Sequence, residues 1–275
     1  MNSENRFSIS FWEIIAGFVR SKGLIYQLVK RNILGRYRGS MFGLVWSFFN
    51  PVLMLTVYTI VFSTVFKARW NTGAESRAEF ALALFIGMIT HGIVAEILNK
   101  SPRLIITNVN YVKKVVFPLE ILPWVVMGAT LFHSFISLIV WVLFYIVVNQ
   151  SIHWTLIFLP IVFIPLVILS IGLSWFLASL GVFIRDIGQI TGVLAMVLLF
   201  MSPVFYPASM LPEPYQTLIY LNPLTFIIEQ ARDVLMWGEL PNWRGLGIYY
   251  VVSCISAWAG FIWFQKTRGG FADVL

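Results

Sequence analysis

Long stretches without a charged residue constrain this chain more than any other feature of its sequence. The hydrocarbon core of a bilayer is about 30 Å thick, and a helix needs about 20 predominantly apolar residues to cross it. Runs such as residues 135–148 lack the period of two that a membrane barrel requires. The sequence therefore predicts an all-α integral membrane protein with six transmembrane helices. The six predicted spans are residues 41–66, 80–95 (extendable to 98), 121–148, 154–184, 187–206 and 245–264.

Composition excludes a soluble globular protein. Apolar residues make up 59% of the chain and charged residues only 11%, whereas about 25% of the residues of a soluble domain are charged. The single cysteine, Cys254, excludes a disulfide framework and a CxxC metal site. We therefore predict one transmembrane domain over residues 1–275 and no metal site.

Lysine and arginine are distributed unevenly along the chain. Fourteen of the 19 lie in segments that share one side of the membrane when the six spans alternate, namely residues 1–40, 99–120, 185–186 and 265–275. Because cytoplasmic loops carry the excess of Lys and Arg, we predict that both termini are cytoplasmic. Residues 41–206 then hold spans one to five, and residues 244–275 hold span six and a cytoplasmic tail.

The residues before the first span predict a helix in the membrane interface. Apolar residues recur at helical spacing from Phe11 to Val29, and basic residues such as Lys30 and Arg31 stand between them. On such a helix the apolar side chains face the acyl chains and the basic ones face anionic headgroups. We therefore interpret residues 1–40 as a cytoplasmic interfacial helix.

Three arginines, Arg31, Arg36 and Arg38, lie between this helix and the first span. Guanidinium groups bind phosphate oxygens two at a time, so this arginine cluster is a candidate site for phosphate or pyrophosphate. The alternative is an ordinary topology signal, because basic residues mark the cytoplasmic side of any membrane protein. The residues alone leave both interpretations open.

The predicted cytoplasmic loop after the second span has the composition of a docking surface. Its middle, residues 104–116, predicts a short helix outside the membrane, and Pro118 ends it. Asn108, Tyr111 and Lys113 give this helix polar and basic side chains. The alternative is a solvated connection without a partner.

Residues 202–243 carry six of the twelve prolines but remain rich in aromatic and aliphatic residues. Asn222 and Pro223 are typical of an N-cap and a first helical residue. On the helix that follows, we expect Arg232 on the polar face, paired with Glu229. We interpret residues 207–243 as an outer segment with a pair of short re-entrant helices. The predicted apolar face of the second helix is Leu224, Ile227, Ile228, Ala231, Val234 and Leu235.

Motifs for catalysis are scarce. The sequence contains no GxxxxGK[ST] phosphate loop, so the chain is not expected to hydrolyse ATP by that route. Glu96, Glu120 and Asp186 stand at the ends of predicted spans, where an interfacial charge needs no functional explanation. We therefore predict a chain that is not an enzyme, holds no cofactor and takes its energy from elsewhere.

Aromatic residues are abundant in the first and fifth spans. Aromatic faces stack on sugar rings, so these residues indicate a channel that can pass a glycan, although helix packing and interfacial belts are the alternative. Tyr58 lies in the middle of its span, so its hydroxyl needs a partner in a helix contact or a lumen. The candidate channel residues are Phe48, Phe49, Tyr58, Phe62, Phe66, Phe200, Phe205 and Tyr206.

Three segments together resemble the membrane subunit of type-2 ABC exporters that carry lipid-linked polysaccharide such as O-antigen, capsule or teichoic acid. They read LVKRNILGRYRGSMFGLVWSFFNPVLML at residues 28–55, NVNYVKKVVFPLEILP at 108–123 and MSPVFYPASMLPEPYQTLIYLNPLTFIIEQARDVL at 201–235. The resemblance implies a permease domain in the bacterial inner membrane. It also implies a homodimer with a channel lined by spans one and five, and two cytosolic ATPase subunits that bind ATP and Mg.

The resemblance also implies roles for particular residues. The substrate would be a polyprenyl-pyrophosphate-linked glycan drawn from membrane lipid, with the arginine cluster as candidate pyrophosphate site and no nucleic acid partner. Two other functions stay open: a type-2 permease for a drug or small lipid, and a membrane enzyme that transfers glycosyl or phosphoryl groups. By position, the ATPase would dock on Asn108, Tyr111, Val112, Lys113 and Lys114, which we call the docking segment.

Overall fold

The computed structural model of the protein describes residues 9–61, 77–113 and 117–275. Every regular element in these ranges is helical, which confirms the predicted all-α class. The helices are α1 (Phe11–Arg36), α2 (Val45–Ile60), α3 (Arg77–Lys100), α4 (Val109–Val112), α5 (Leu122–Asn149), α6 (Leu159–Phe183), α7 (Ile187–Met201), α8 (Glu213–Tyr220), α9 (Pro223–Arg232), α10 (Trp243–Thr267) and α11 (Phe271–Val274).

Four helical stretches of the described chain are long and apolar enough to cross a membrane: Ala78–Arg103, Leu119–Asn149, Trp154–Phe183 and Trp243–Val274. Helices α2 and α7 are apolar but have only 16 and 15 residues. At 1.5 Å per residue each is about 24 Å long or less, which is shorter than the bilayer core. The chain is thus a multi-pass membrane protein. The last five residues of the first predicted span, 62–66, which include Phe62 and Phe66, lie outside the described residues.

Helix α3 forms the centre of the bundle. It packs against α2, α5, α6, α7 and α9, and its residues from Phe80 to Ile86 are almost completely buried. A helix that is hydrophobic on all sides is stable when neighbours cover each side. Near the C-terminal end of α3, Glu96 is accordingly shielded by the bundle, with 19% of its side chain exposed.

Helices α6 and α10 cross at very close range. A side chain at Gly172 would overlap the backbone of Ala257, and one at Gly260 would overlap the carbonyl of Gly172. Small residues let helix backbones approach in membranes, where van der Waals packing supplies much of the association energy. These three residues therefore fix the contact between the two helices.

Helix α1 is a helix as predicted, and it packs against the beginning of α5. Ile25 and Leu28 form a small buried cluster with Ile121 and Val125. The rest of α1 presents a largely exposed surface, on which Trp12 is 72% exposed. The position of α1 in the membrane interface stays a prediction.

The loop between α3 and α5 holds less helix than predicted. The described residues 104–113 do not form one continuous helix: two 3-10 turns precede α4, which has four residues. Residues 114–116 of the predicted helix lie outside the described residues. The side chains of Thr107 and Asn108 donate to the carbonyls of Arg103 and Leu104 at 2.9 and 2.8 Å. Such local bonds compete with the regular helical pattern, and this explains the interruption.

In the outer segment the predicted helix boundary is confirmed. The Asn222 side chain accepts a hydrogen bond from the backbone N–H of Leu224 at 3.0 Å, and Pro223 is the first residue of α9. The predicted apolar face of this helix is buried. The helices α8 and α9 exist as a pair, while their re-entrant course stays a prediction.

The predicted position of Arg232 on the polar face of α9 is wrong. Its side chain is only 3% exposed, and its guanidinium donates to the carbonyls of Ala83 at 3.0 Å and Val204 at 3.1 Å. The chain after α7 lies against α3 and supplies the second carbonyl. A buried arginine needs such acceptors, but helical periodicity cannot reveal that they are near.

Candidate functional site

Helices α1 and α4 meet through Arg31 and Tyr111. The Arg31 guanidinium donates to the Tyr111 hydroxyl at 2.8 Å and lies 5.9 Å from the centre of the ring. The opposite side of Tyr111 is fixed by Phe117, whose ring stacks on it at 4.1 Å with an angle of 7° between the planes. The arginine cluster and the docking segment, which sequence reasoning treated separately, are therefore in direct contact.

The other end of the same loop is held by Arg268, just beyond α10. Its guanidinium pairs with the Glu120 carboxylate at 2.6 Å and donates to the carbonyl of Phe117 at 3.2 Å. The backbone carbonyl of Glu120 in turn accepts a hydrogen bond from the Trp175 indole at 3.0 Å. The loop is thus anchored to α1 on one side and to α6 and α10 on the other.

The members of the docking segment differ in how accessible they are. Asn108 donates to its own loop, and Val112 packs against the main hydrophobic core. Lys113 is exposed, while Lys114 lies outside the described residues. A partner that approached the described part of this segment would meet the edge of Tyr111 and the ammonium group of Lys113.

The three arginines have different surroundings. Arg36 pairs with Glu96 at 3.1 Å, and Lys100 binds the same carboxylate oxygen at 2.5 Å. The Arg38 side chain is exposed and makes no ion pair or hydrogen bond with the part of the chain that the structure describes. All three arginines are exposed, but the guanidinium groups of Arg31 and Arg36 already bind protein groups, whereas that of Arg38 binds none in the described part of the chain.

Arg36 and Glu96 stand at one end of a polar cleft between α2, α3 and α5. The cleft has a volume of about 250 Å³. Tyr37 adds its hydroxyl, which lies 3.5 Å from Nδ1 of His133, and burial raises the pKa of this hydroxyl despite an opposing effect of Arg36. The lining residues are Arg36, Tyr37, Ser47, Asn50, Pro51, Met54, Tyr58, Phe85, Met88, Ile89, Gly92, Glu96, Thr130, His133, Ser134 and Ser137.

A sequence model of the ABC-2 type transporter matches residues 23–236, which is more than three quarters of the chain. The chain belongs to the ABC-2 type transporter family. The match runs from the middle of α1 to the turn after α9 and contains the Arg31–Tyr111 contact and the whole polar cleft. As a member of this family the chain is a transport subunit and not itself an enzyme.

Relatives of this ABC-2 type transporter chain match it over most of their length. It is 29% identical to an O-antigen export system permease protein RfbA of Klebsiella pneumoniae, over 92% of this chain and 95% of the relative. An RfbA of Myxococcus xanthus is 26% identical over the same shares. The polysialic acid transport protein KpsM of Escherichia coli is 23% identical over 89% of this chain and 93% of the relative.

The candidate channel aromatics of this ABC-2 type transporter chain lie on separate surfaces. Tyr58 lines the polar cleft, Phe48 lines an apolar groove between α2 and α5, and Phe49 lies with Phe42 and Trp46 on the exposed side of α2. The aromatics after α7 form their own cluster, in which Phe200 and Phe205 stack at 5.8 Å and Tyr206 donates to the carbonyl of Phe200 at 2.9 Å. Within one chain, the described members do not share a surface.

Sequence reasoning missed Glu96 and His133 as members of the site. Glu96 was explained as an interfacial charge, yet it holds Arg36 and Lys100 and lines the cleft. The sequence does contain one signal for these two residues, because ionisable residues in or at the end of a transmembrane segment are rare and face protein or water. This rule places Glu96 and His133 in a polar site.

Proposed function

We propose that this chain is the membrane-spanning subunit of an ATP-driven exporter that moves lipid-linked polysaccharide from the cytoplasm across the inner membrane. The contact between Arg31 and Tyr111 carries this proposal, because it joins a phosphate-binding cluster to a docking segment. The relatives named for O-antigen export and polysialic acid transport support a polysaccharide as the cargo.

In the proposed topology the chain crosses the membrane six times, with both termini in the cytoplasm. Helices α2 and α7 serve as spans one and five. The distribution of basic residues supports this orientation, since it gives the cytoplasmic side 14 of the 19 Lys and Arg residues. It places α4 and the arginine cluster on the cytoplasmic side and makes α8 and α9 a re-entrant pair on the outer side.

The energy would come from two cytosolic ATPase subunits, which bind ATP and Mg and dock on the docking segment of each protomer. The exposed side chain of Lys113 and the anchoring of Tyr111 between Arg31 and Phe117 support this role. A force applied to α4 would reach α1 through one hydrogen bond. It would reach the end of α10 through the ion pair of Arg268 with Glu120, and α6 through the hydrogen bond from the Trp175 indole to the Glu120 carbonyl.

The channel would form between two copies of the chain. Helices α2 and α7 both expose apolar faces, on which Phe49 is 48% and Phe200 is 62% exposed. In a membrane these faces meet either lipid or a second protomer, and aromatic rings on them would offer stacking surfaces to a passing glycan. The substrate's pyrophosphate would bind at Arg38 first, because the guanidinium groups of Arg31 and Arg36 are already bound to Tyr111 and Glu96.

The test is substrate-stimulated ATP hydrolysis. The chain would be reconstituted in proteoliposomes with its proposed ABC ATPase subunit, and polyprenyl-pyrophosphate-linked oligosaccharide would be added. We expect this lipid to raise the rate of ATP hydrolysis several-fold, whereas hydrophobic drugs and plain phospholipids should not. Stimulation by drugs alone would support the small-molecule permease instead, and glycosyl or phosphoryl transfer without ATP would support the enzyme.

A further inference from the structure

The polar cleft is long and narrow, and three helices form its walls. Its lining residues on α2 run from Ser47 to Tyr58, and those on α3 run from Phe85 to Glu96. Eleven residues of helix correspond to about 16 Å, so the cleft extends from the arginine cluster well into the bundle. Its volume of about 250 Å³ lies just below the range of about 300–1,000 Å³ typical of small-molecule sites. It can accommodate a small group but not a polymer.

Several polar groups of the cleft lack a protein partner. The Asn50 amide, the Tyr58 hydroxyl and the Ser134 hydroxyl line it and make no hydrogen bond within the described part of the chain. By contrast, Ser47 and Thr130 donate to backbone carbonyls of their own helices. Polar groups at membrane depth are costly unless something satisfies them. The Asn50 side chain is exposed, and those of Tyr58 and Ser134 are half-buried. An occupant that offers hydrogen-bonding groups would satisfy all three, which an acyl chain cannot do.

Charge in the cleft is confined to one end. Arg36 and Lys100 share the Glu96 carboxylate there, and the rest of the described lining contains no lysine or arginine that could bind an anion. Beyond His133, the polar lining groups are amide and hydroxyl groups, and the rings of Tyr58 and Phe85 lie 6.5 Å apart. Hydroxyls, an amide and aromatic faces are the groups that bind a sugar ring.

We propose that the cleft is a glycan subsite, which holds the sugar next to the pyrophosphate while the phosphates stay outside at the arginine cluster. Asn50, Tyr58 and Ser134 donate to or accept from sugar hydroxyls. The subsite deepens the proposed function and rests on it. It gives each protomer a means to distinguish a loaded lipid carrier from an empty one before ATP is hydrolysed.

Gly92 offers a way to block the cleft without disturbing the helix that carries it. Gly92 lines the cleft on α3, and a Cβ added there would meet no atom within 4 Å. Gly92→Leu therefore fills the cleft with little strain. Gly247→Leu on α10 is the matched control, since it is also free of contacts and lies outside the cleft. Asn50→Ala with Ser134→Ala is a second, smaller perturbation.

The experiment compares two lipids in proteoliposomes that contain the chain and its ATPase subunit. One is polyprenyl pyrophosphate without sugar, and the other carries a single N-acetylhexosamine. For Gly92→Leu and for the double alanine variant, we expect the concentration of the sugar-bearing lipid that gives half-maximal ATPase stimulation to rise about tenfold. The response to the sugar-free lipid, and both responses of Gly247→Leu, should match the wild type.

Three results would contradict the subsite alone: equal shifts for both lipids, no shift for either, or a wild type that does not distinguish the lipids. A wild type that responds to neither lipid would instead overturn the proposed function, and the subsite with it.

Discussion

The Arg31 guanidinium on α1 donates a hydrogen bond to the Tyr111 hydroxyl on α4, 80 residues further along the chain. The contact connects the helix that carries the arginine cluster with the segment that we propose as the ATPase dock. Because Phe117 stacks on Tyr111, the ring cannot turn away easily. In the proposed mechanism, motion of α4 would reach α1 through the side chains of Tyr111 and Arg31.

Tyr111→Phe should weaken coupling between ATPase and substrate. The variant loses the hydroxyl but keeps the stack on Phe117, so the fold of the loop should persist. A hydrogen bond to a charged group contributes about 1.5–3 kcal/mol, and the solvent exposure of Arg31 reduces this value. We expect the substrate-stimulated rate of ATP hydrolysis to fall several-fold while the basal rate stays constant. Tyr26→Phe, at an exposed tyrosine of α1, is the control, and wild-type stimulation in Tyr111→Phe would refute this coupling route.

Replacing Arg36 and Arg38 by lysine distinguishes phosphate binding from topology. Lysine keeps the positive charge that fixes orientation but lacks the planar fork that binds two phosphate oxygens. We expect lipid-stimulated ATP hydrolysis to decrease about tenfold, or about 1.4 kcal/mol, with protein level and orientation unchanged. Arg20→Lys is the control, because it makes the same change at an arginine that pairs with Glu13 within α1. Full activity of the double lysine variant would leave the arginines with a topological role only.

The ion pair of Arg268 with Glu120 should stabilise the loop that precedes α5. Both side chains are partly buried, at 15% and 21% exposure, and loss of one partner leaves the other poorly satisfied at a cost of about 1–3 kcal/mol. Glu120→Gln should therefore lower the midpoint of thermal unfolding and speed hydrogen exchange around residues 117–120. A double variant, Glu120→Leu with Arg268→Met, should be less destabilised than the sum of the single variants. A double variant whose destabilisation equals the sum of those of the two single variants would contradict this coupling.

The outer segment should respond to pH through Asp233. Burial, reinforced by Glu239, raises the pKa of Asp233 to about 6 in spite of Arg232. An acid whose pKa is higher in the folded state stabilises that state most at low pH. The free energy of unfolding should therefore decrease as pH rises from about 4, near the unfolded pKa of an aspartate, to about 6. Thermal unfolding of wild type and Asp233→Asn over this range measures the effect, and identical pH profiles would exclude it.

Local patterns predicted the elements of this fold better than the contacts between them. The N-cap at Asn222 could be predicted because cap and helix are adjacent in sequence. The burial of Arg232 could not, because its acceptors on Ala83 and Val204 are 149 and 28 residues away. The predicted helix over residues 104–116 failed for a local reason, the competing bonds of Thr107 and Asn108.

The candidate site shows the same limit. The residue types of the arginine cluster indicate anion binding, and those of the docking segment indicate docking. The contact between the two, however, depends on how α1 packs on α5. The polar cleft depends on the packing of α2, α3 and α5. Asn50, Glu96 and Ser134 are unremarkable in separate apolar stretches, and they gain a common role only when three helices place them around one space.

We propose that this chain exports a lipid-linked glycan with energy from a partner ATPase. The most direct measurement uses sealed proteoliposomes with the ATPase facing outward and a fluorescent polyprenyl-pyrophosphate-linked oligosaccharide in the outer leaflet. Upon addition of ATP and Mg, we predict that the glycan becomes protected from an added glycosidase, and that vesicles without ATP or with the Arg36→Lys, Arg38→Lys variant show little protection. Equal loss of glycan with and without ATP, in vesicles that hydrolyse ATP normally, would contradict the claim.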